Sequence, residues 1–133
     1  MTKNANYYIE RVLAILAAVI LLYTLYFKFS GHPSSVALFT ELGVEPWGRI
    51  GTGILEFIAG GLLLFRNVSF HGALLGLGIM AGAVLSHLAI IGIEFQGDYQ
   101  LFVMACIVLA CCAGVLVLRK EEIQTFIAEV KNQ

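Results

Sequence analysis

Long apolar stretches alternate with short polar connections along most of the chain. Four of these stretches have roughly the 20 residues that a helix needs to cross a hydrocarbon core about 30 Å thick. They are residues 12–29, 48–65, 72–93 and 99–118. The connections 66–71 and 94–98 are so short that consecutive helices should be antiparallel neighbours. The pattern predicts an all-α membrane protein, an antiparallel up-down bundle of four transmembrane helices that forms a single domain, residues 1–133.

Two shorter segments also have helical periodicity. In the long connection 30–47, three apolar residues share one helical face, a serine can cap the start and a glycine can end the helix. The apolar residues are Val36, Phe39 and Leu42, the capping serine is Ser34 or Ser35, and the glycine is Gly43. In the C-terminal tail, apolar residues share one helical face and charged residues lie on the opposite face. The apolar residues are Ile123, Phe126, Ile127 and Val130. We expect a short helix over the outer mouth of the bundle and an amphipathic helix on the inner surface, with a frayed polar tail as the alternative to the second.

The composition agrees with a membrane protein. Hydrophobic residues make up 59% of the chain and charged residues 13%, against roughly 45–50% and about 25% in soluble domains. The net charge of −1 leaves no basic stripe for a nucleic-acid partner. Three cysteines fall in one apolar run without a C-x-x-C motif: Cys106, Cys111 and Cys112. We interpret them as buried, inert thiols, with a redox role as the alternative.

The basic residues are distributed asymmetrically between the two sides of the predicted bundle. Six of the eight fall on the side that holds both termini and the second connection. They are Lys3, Arg11, Arg66, Arg119, Lys120 and Lys131, whereas Lys28 and Arg49 fall on the other side. Because positive charge is enriched in cytoplasmic segments, we expect both termini to be cytoplasmic and connections 30–47 and 94–98 to face outward.

Ionisable residues within the predicted spans are candidates for a functional site, because a charged group in the membrane is costly unless it is paired or used. Glu56 lies eight residues and His87 six residues from the outer ends of their spans. At about 1.5 Å per residue, both lie at a depth of roughly 10 Å, with Lys28 and Arg49 above them. We expect these four residues to form a ligand-binding pocket. The alternatives are a purely structural polar clasp for Glu56 and His87, and snorkelling to the headgroups for the two cations. One carboxylate and one imidazole are too few for a metal site, and we predict none.

Small residues follow two stripes of the third span and are expected to let helices approach closely. One stripe carries Gly72, Gly76, Met80, Ala83 and His87, and the other carries Gly78, Gly82 and Ser86.

The order of these features resembles the DoxX family of small bacterial membrane proteins. The matching features are a lysine that closes the first span, a loop helix ending in Leu-Gly, a G-x-x-E-x-x-x-G second span, and a G-x-M-x-x-A third span ending in histidine. Here they are Lys28, Leu42, Gly43, Gly53, Glu56, Gly60, Gly78, Met80, Ala83 and His87. The resemblance implies a four-span protein of the bacterial cytoplasmic (inner) membrane. The family takes its name from a subunit of a thiosulfate:quinone oxidoreductase, and most members have no assigned activity.

We therefore expect an inner-membrane subunit or binding module with an outward-facing polar pocket for a small lipophilic ligand such as a quinone, accessory to a redox system. Three alternatives stay open: a structural scaffold without its own ligand, a small transporter or proton path, and a self-contained enzyme, the last disfavoured because no nucleophile or cofactor motif is evident. The expected partners are the lipid bilayer and either a second copy of the chain or a redox partner subunit.

Overall fold

Six α-helices account for most of the protein in the computed structural model, which describes residues 3–132 apart from the side chains at 3, 4, 121–123 and 126. They are α1 Lys3–Phe29, α2 Pro33–Glu41, α3 Trp47–Leu64, α4 Ser69–Ser86, α5 Gln100–Leu118 and α6 Lys120–Lys131. A 3-10 turn, Arg66–Val68, precedes α4, and a π-helical turn, His87–Ile91, follows it. Within residues 3–132 no β-strand forms, and the only strand-like pairing is a single bridge between Phe95 and Asp98.

Four segments are long and apolar enough to cross a membrane. They are Ala5–Phe29, Trp47–Leu64, Arg66–Ile91 and Gln100–Leu118. The prediction of an all-helical protein with four long apolar helices is therefore confirmed. The first helix begins well before residue 12, where its apolar run starts, because the polar residues Glu10 and Arg11 find partners within the bundle. The third predicted span likewise begins before residue 72, at Ser69.

The four long helices pack as a ring in which α1 and α4 each contact both α3 and α5. Small residues on α1 make this possible, because Ala14, Ala17 and Ala18 are completely buried against the other helices. Leu21 and Leu63 are the largest apolar side chains that are almost entirely enclosed. Cys111 and Cys112 are buried in the same core, and Cys106 is partly buried. All three thiols are free.

The glycines of α4 fall into two groups that differ in what surrounds them. A Cβ at Gly72 would lie 2.7 Å from the backbone nitrogen of Leu63 and 3.0 Å from the carbonyl oxygen of Ala59. Only glycine allows this approach of α3 and α4, as the small-residue stripe predicts. At Gly78 and Gly82, by contrast, no described atom lies within 4 Å of the Cβ position. The expectation that this second stripe packs closely against a neighbouring helix is therefore wrong.

The two shorter helices occupy the long connection and the C-terminal tail. Helix α2 begins at Pro33, not after a serine cap, because the His32 side chain accepts a hydrogen bond from the Ser34 backbone N–H. The predicted cap at Ser34 or Ser35 is therefore wrong, whereas Gly43, at φ +79°, follows the helix end as expected. In α6, Ile127 and Val130 are exposed. The side chains of Ile123 and Phe126, also assigned to its apolar face, lie outside the described residues.

Candidate functional site: a polar cavity between the long helices

A cavity of about 390 Å³ lies among the four long helices and α2. Most of the residues that line it are apolar, and its polar side chains are few. They are Thr24 and Lys28 from α1, Thr52 and Glu56 from α3, and Ser86 and His87 from the end of α4 and the π-helical turn. Three of the four residues predicted to form a site therefore border one space: Lys28, Glu56 and His87. Arg49 is not among the lining residues.

Glu56 is paired with Lys28. The distance from Lys28 Nζ to Glu56 Oε1 is 3.1 Å, and the Thr24 hydroxyl donates a hydrogen bond of 3.1 Å to Glu56 Oε2. Thr24 and Lys28 are one helical turn apart, so they share the face of α1 that meets α3. Only 2% of Glu56 is exposed. Both carboxylate oxygens thus have a partner from α1, which lets the charge reside within the bundle.

A close contact between α3 and the end of α1 makes this pairing possible. A Cβ at Gly53, one turn before Glu56, would lie 2.7 Å from a ring carbon of Phe29. Glycine therefore brings the backbone of α3 close to the last turn of α1, within reach of Lys28.

His87 belongs to the same cavity, but it has a different set of partners from Glu56. Its Nδ1 lies 3.0 Å from the carbonyl oxygen of Gly92, and its ring packs edge-on against Phe102. A carbonyl only accepts hydrogen bonds, so Nδ1 carries the proton. The other ring nitrogen, Nε2, has no hydrogen-bond partner among the described residues. No hydrogen bond joins His87 to Glu56, although both side chains are described and line the same space.

The π-helical turn fixes the position of His87. The backbone N–H of Gly92 donates a hydrogen bond of 2.6 Å to the carbonyl oxygen of His87, which closes the wider turn. Gly92 has φ +93°, a conformation that side-chain-bearing residues rarely adopt. π-Helical turns of this kind are frequent at functional sites. The turn aligns the Gly92 carbonyl with the imidazole and leaves Nε2 available at the cavity.

Arg49 contacts the backbone of the site and not the cavity itself. Its Nε lies 2.9 Å from an oxygen of Glu45, one turn away, and its Nη1 donates a hydrogen bond to the carbonyl oxygen of Lys28. A cation that bonds the last carbonyls of a helix satisfies groups that have no partner within that helix. Arg49 thereby secures the end of α1 from which Lys28 extends.

A second, smaller cavity of about 270 Å³ shares Thr24 and Lys28 with the first. Its other polar lining residues come from α1, from the turn after it, from α2, from the connection before α5 and from the start of α5. They are Tyr23, His32, Ser34, Ser35, Gln96, Asp98 and Gln100. The larger cavity therefore has a polar neighbour on the side of the connections, and Lys28 lies between the two.

A second buried carboxylate, Glu10, forms a polar cluster that the sequence analysis did not predict. Arg11 donates to Glu10 through Nε at 2.6 Å, and Ser69 also donates to it. Arg119 Nη1 and Arg66 Nε lie 3.7 Å and 3.8 Å from its oxygens. Glu10 is only 1% exposed. One carboxylate thus joins α1 to the turn before α4, to the start of α4 and to the end of α5.

The Glu10 cluster also satisfies helix termini. Arg11 donates hydrogen bonds to the carbonyl oxygens of Leu63 and Leu64 at the end of α3, and Arg119 donates to that of Arg66. The sequence contained a signal for the cluster, since Glu10 is the one acidic residue within the first apolar helix and three arginines fall on its side of the bundle.

Comparison of the chain with protein-family models, with curated proteins and with solved structures found no match. Function is therefore inferred from the cavity and from the side chains that border it.

Proposed function

We propose that the protein is an integral inner-membrane binding module of the DoxX type, accessory to a redox system, whose cavity holds the headgroup of a small lipophilic ligand such as a quinone. The observation that carries the proposal is a cavity of about 390 Å³, mostly apolar, that contains a buried Lys28–Glu56 pair and the ring of His87. Ligand sites typically have volumes of about 300–1,000 Å³, apolar walls and a few convergent polar groups.

The polar groups suit a headgroup that accepts hydrogen bonds. Lys28 has further N–H donors beside the one directed at Glu56. Glu56 holds the ammonium group in place, so Lys28 serves as an oriented donor. His87 Nε2 accepts a hydrogen bond when the ring is neutral and donates one when it is protonated. A bound quinone would supply two-electron redox chemistry, with electrons coming from a partner subunit.

The glycines of α4 support this proposal. Gly78 and Gly82 lie inside a helix, where glycine costs about 1 kcal/mol relative to alanine, yet neither permits a close helix contact. Both line the cavity. Without side chains at these two positions, the wall of the cavity is open there, as a binding site requires.

The finer topology is part of the same proposal. We infer an up-down-up-down arrangement because Arg11 near the start of α1, Arg66 between α3 and α4, and Arg119 after α5 all surround Glu10. Positive charge at that end favours its location on the cytoplasmic side, with both termini. The cavity then lies in the outer half of the bundle. Helix α2 covers its outer mouth, in line with the positions of Leu38 and Phe39 in the lining, and α6 lies on the inner surface.

A glycine pair provides a matched test of the binding function. Gly82→Leu adds a side chain to a residue that lines the cavity, whereas Gly61→Leu adds the same side chain to α3 at a position that has no described atom within 4 Å and does not line the cavity. The protein in nanodiscs is photolabelled with an azido-quinone, and unlabelled menaquinone or ubiquinone is added as competitor. We expect saturable labelling that is lost in Gly82→Leu and retained in Gly61→Leu. Equal labelling of both variants, or no saturable labelling of the wild type, contradicts the proposal.

A further inference from the structure

The most exposed residues that line the cavity lie on one side of it. Among its lining residues, the exposed ones are Val44, Leu55, Gly78 and Gly82. They come from α3, from α4 and from the loop immediately before α3. The lining residues of α1 and α5 are all buried or partly buried. We call the gap bordered by these four exposed residues the α3/α4 opening.

The α3/α4 opening has an apolar border. Its border consists of two aliphatic side chains and two glycines, and three of the four lie within apolar segments long enough to span the membrane. At about 1.5 Å per residue, Gly82 and Gly78 lie roughly 7 and 13 Å along the helix from His87. On α3, Leu55 is next to Glu56, so the opening extends along the side of the cavity that contains its polar groups.

The α3/α4 opening is closed below by direct backbone contact. Near Gly72, the backbones of α3 and α4 are so close that a Cβ would overlap Ala59 and Leu63. At Gly78 and Gly82 no described atom lies within 4 Å of the Cβ position. The two helices thus confine the gap to the part of the bundle that contains the cavity.

At the polar end of the cavity, one buried group still has unused hydrogen-bonding capacity. His87 is 3% exposed, and its Nε2 has no partner among the described residues. Lys28 and Glu56 border the same space. Polar groups inside the cavity and an apolar opening in its side match a molecule that has a polar head and a hydrocarbon chain.

From this polarity we infer that the ligand is a tailed amphiphile: its headgroup is held at Lys28 and His87, and its hydrocarbon or isoprenoid tail leaves through the α3/α4 opening into the bilayer. The inference rests on the proposed function and adds the class of ligand and its path. The tail gains little from burial, since lipid is as apolar as the opening. The opening provides an exit for the tail, because a long tail does not fit inside the cavity.

Two tryptophan substitutions on α3 test this path. Leu55 borders the opening and Ile58 does not, yet both are 44% exposed. Leu55→Trp therefore narrows the opening, and Ile58→Trp adds the same bulk to a neighbouring lipid-facing position. Each variant in nanodiscs is photolabelled with two azido-quinones, one carrying a decyl tail and one without a tail. Leu55→Phe provides a milder blocking variant in case the tryptophan impairs folding.

We expect Leu55→Trp to weaken saturable labelling by the decyl probe at least about tenfold while labelling by the tail-free probe changes less than about twofold. Ile58→Trp should leave both unchanged. Retention of the decyl probe in Leu55→Trp and Leu55→Phe, or an equal loss of both probes, overturns the tail path while leaving the binding function standing. If neither probe labels the wild type saturably, the proposed function fails and the tail path fails with it.

Discussion

Lys28 and Glu56 form an ion pair inside the bundle, with 3.1 Å between Nζ and Oε1. The lysine comes from the last turn of α1 and the glutamate from the middle of α3. A cation at the end of a helix is favoured by the helix dipole, and the carboxylate is satisfied further by Thr24. The two opposite charges make the pair neutral overall, and their contact fixes the position of α1 against α3 beside the cavity.

Removing Lys28 should destabilise the protein more than removing both partners. Lys28→Met leaves Glu56 buried without its cation, which we expect to lower the free energy of unfolding by up to about 3–5 kcal/mol. The double variant Lys28→Met/Glu56→Gln has no unpaired charge and should recover much of that loss. Denaturant unfolding of the wild type, both single variants and the double variant in detergent measures the coupling. Additive single effects would show that the two side chains do not interact.

Replacing Glu10 should weaken the fold without directly changing the cavity. In Glu10→Gln the side chain keeps its shape but loses the charge that faces Arg11, Arg66 and Arg119. We expect a lower unfolding midpoint, with a loss of up to about 3–5 kcal/mol, because the guanidinium groups are left without their shared carboxylate. Glu41→Gln, at an exposed position on α2, provides the control and should change stability by less than about 0.5 kcal/mol. A midpoint unchanged by Glu10→Gln would contradict the role of the cluster.

The glycines of α3 and α4 should respond oppositely to alanine. Gly72→Ala forces a methyl group against the backbone of α3 and should cost about 1–3 kcal/mol. Gly61→Ala meets no described atom within 4 Å and should be neutral or stabilising, because alanine is the better helix former. Thermal unfolding of the two variants in the same detergent compares them. Equal stability would mean that α3 and α4 are not in backbone contact near Gly72.

Changing Gly92 should impair binding through His87. Gly92→Ala strains a residue at φ +93° and displaces the carbonyl that holds Nδ1, so we expect weaker labelling by the azido-quinone along with a loss of about 1–3 kcal/mol in stability. Gly97 also has a positive φ, at +77°, but does not contact His87. Gly97→Ala should therefore lower stability without weakening labelling. If both variants label like the wild type, the turn does not position the imidazole for binding.

The sequence was sufficient to predict the four long helices, because an apolar run of this length has no other stable form in lipid. It also predicted that Glu56 and His87 would lie at a similar depth with Lys28 above them, and these three residues border one cavity. Depth follows from counting residues along straight helices. It does not depend on how each helix is rotated about its own axis.

Rotation and local backbone form explain what the sequence did not predict. The partners of Glu56 are Lys28 and Thr24 of α1 and not His87, because Gly53 brings α3 against the end of α1. The π-helical turn directs His87 toward Gly92, and no residue pattern in the sequence predicted that turn. Arg49 does not line the cavity, because its guanidinium donates a hydrogen bond to the carbonyl oxygen of Lys28 at the end of α1.

The Glu10 cluster has a consequence for the order in which the protein assembles. Glu10 and Arg11 are synthesised together, so the carboxylate has one cation from the start. Arg66 and Ser69 become available only after α3, the second long segment, has formed, and Arg119 only when the last span is complete. A ribosome-bound chain that ends before residue 119 therefore lacks one of the three arginines that surround Glu10. Insertion of α5, which Arg119 directly follows, completes the Glu10 cluster at this end of the bundle.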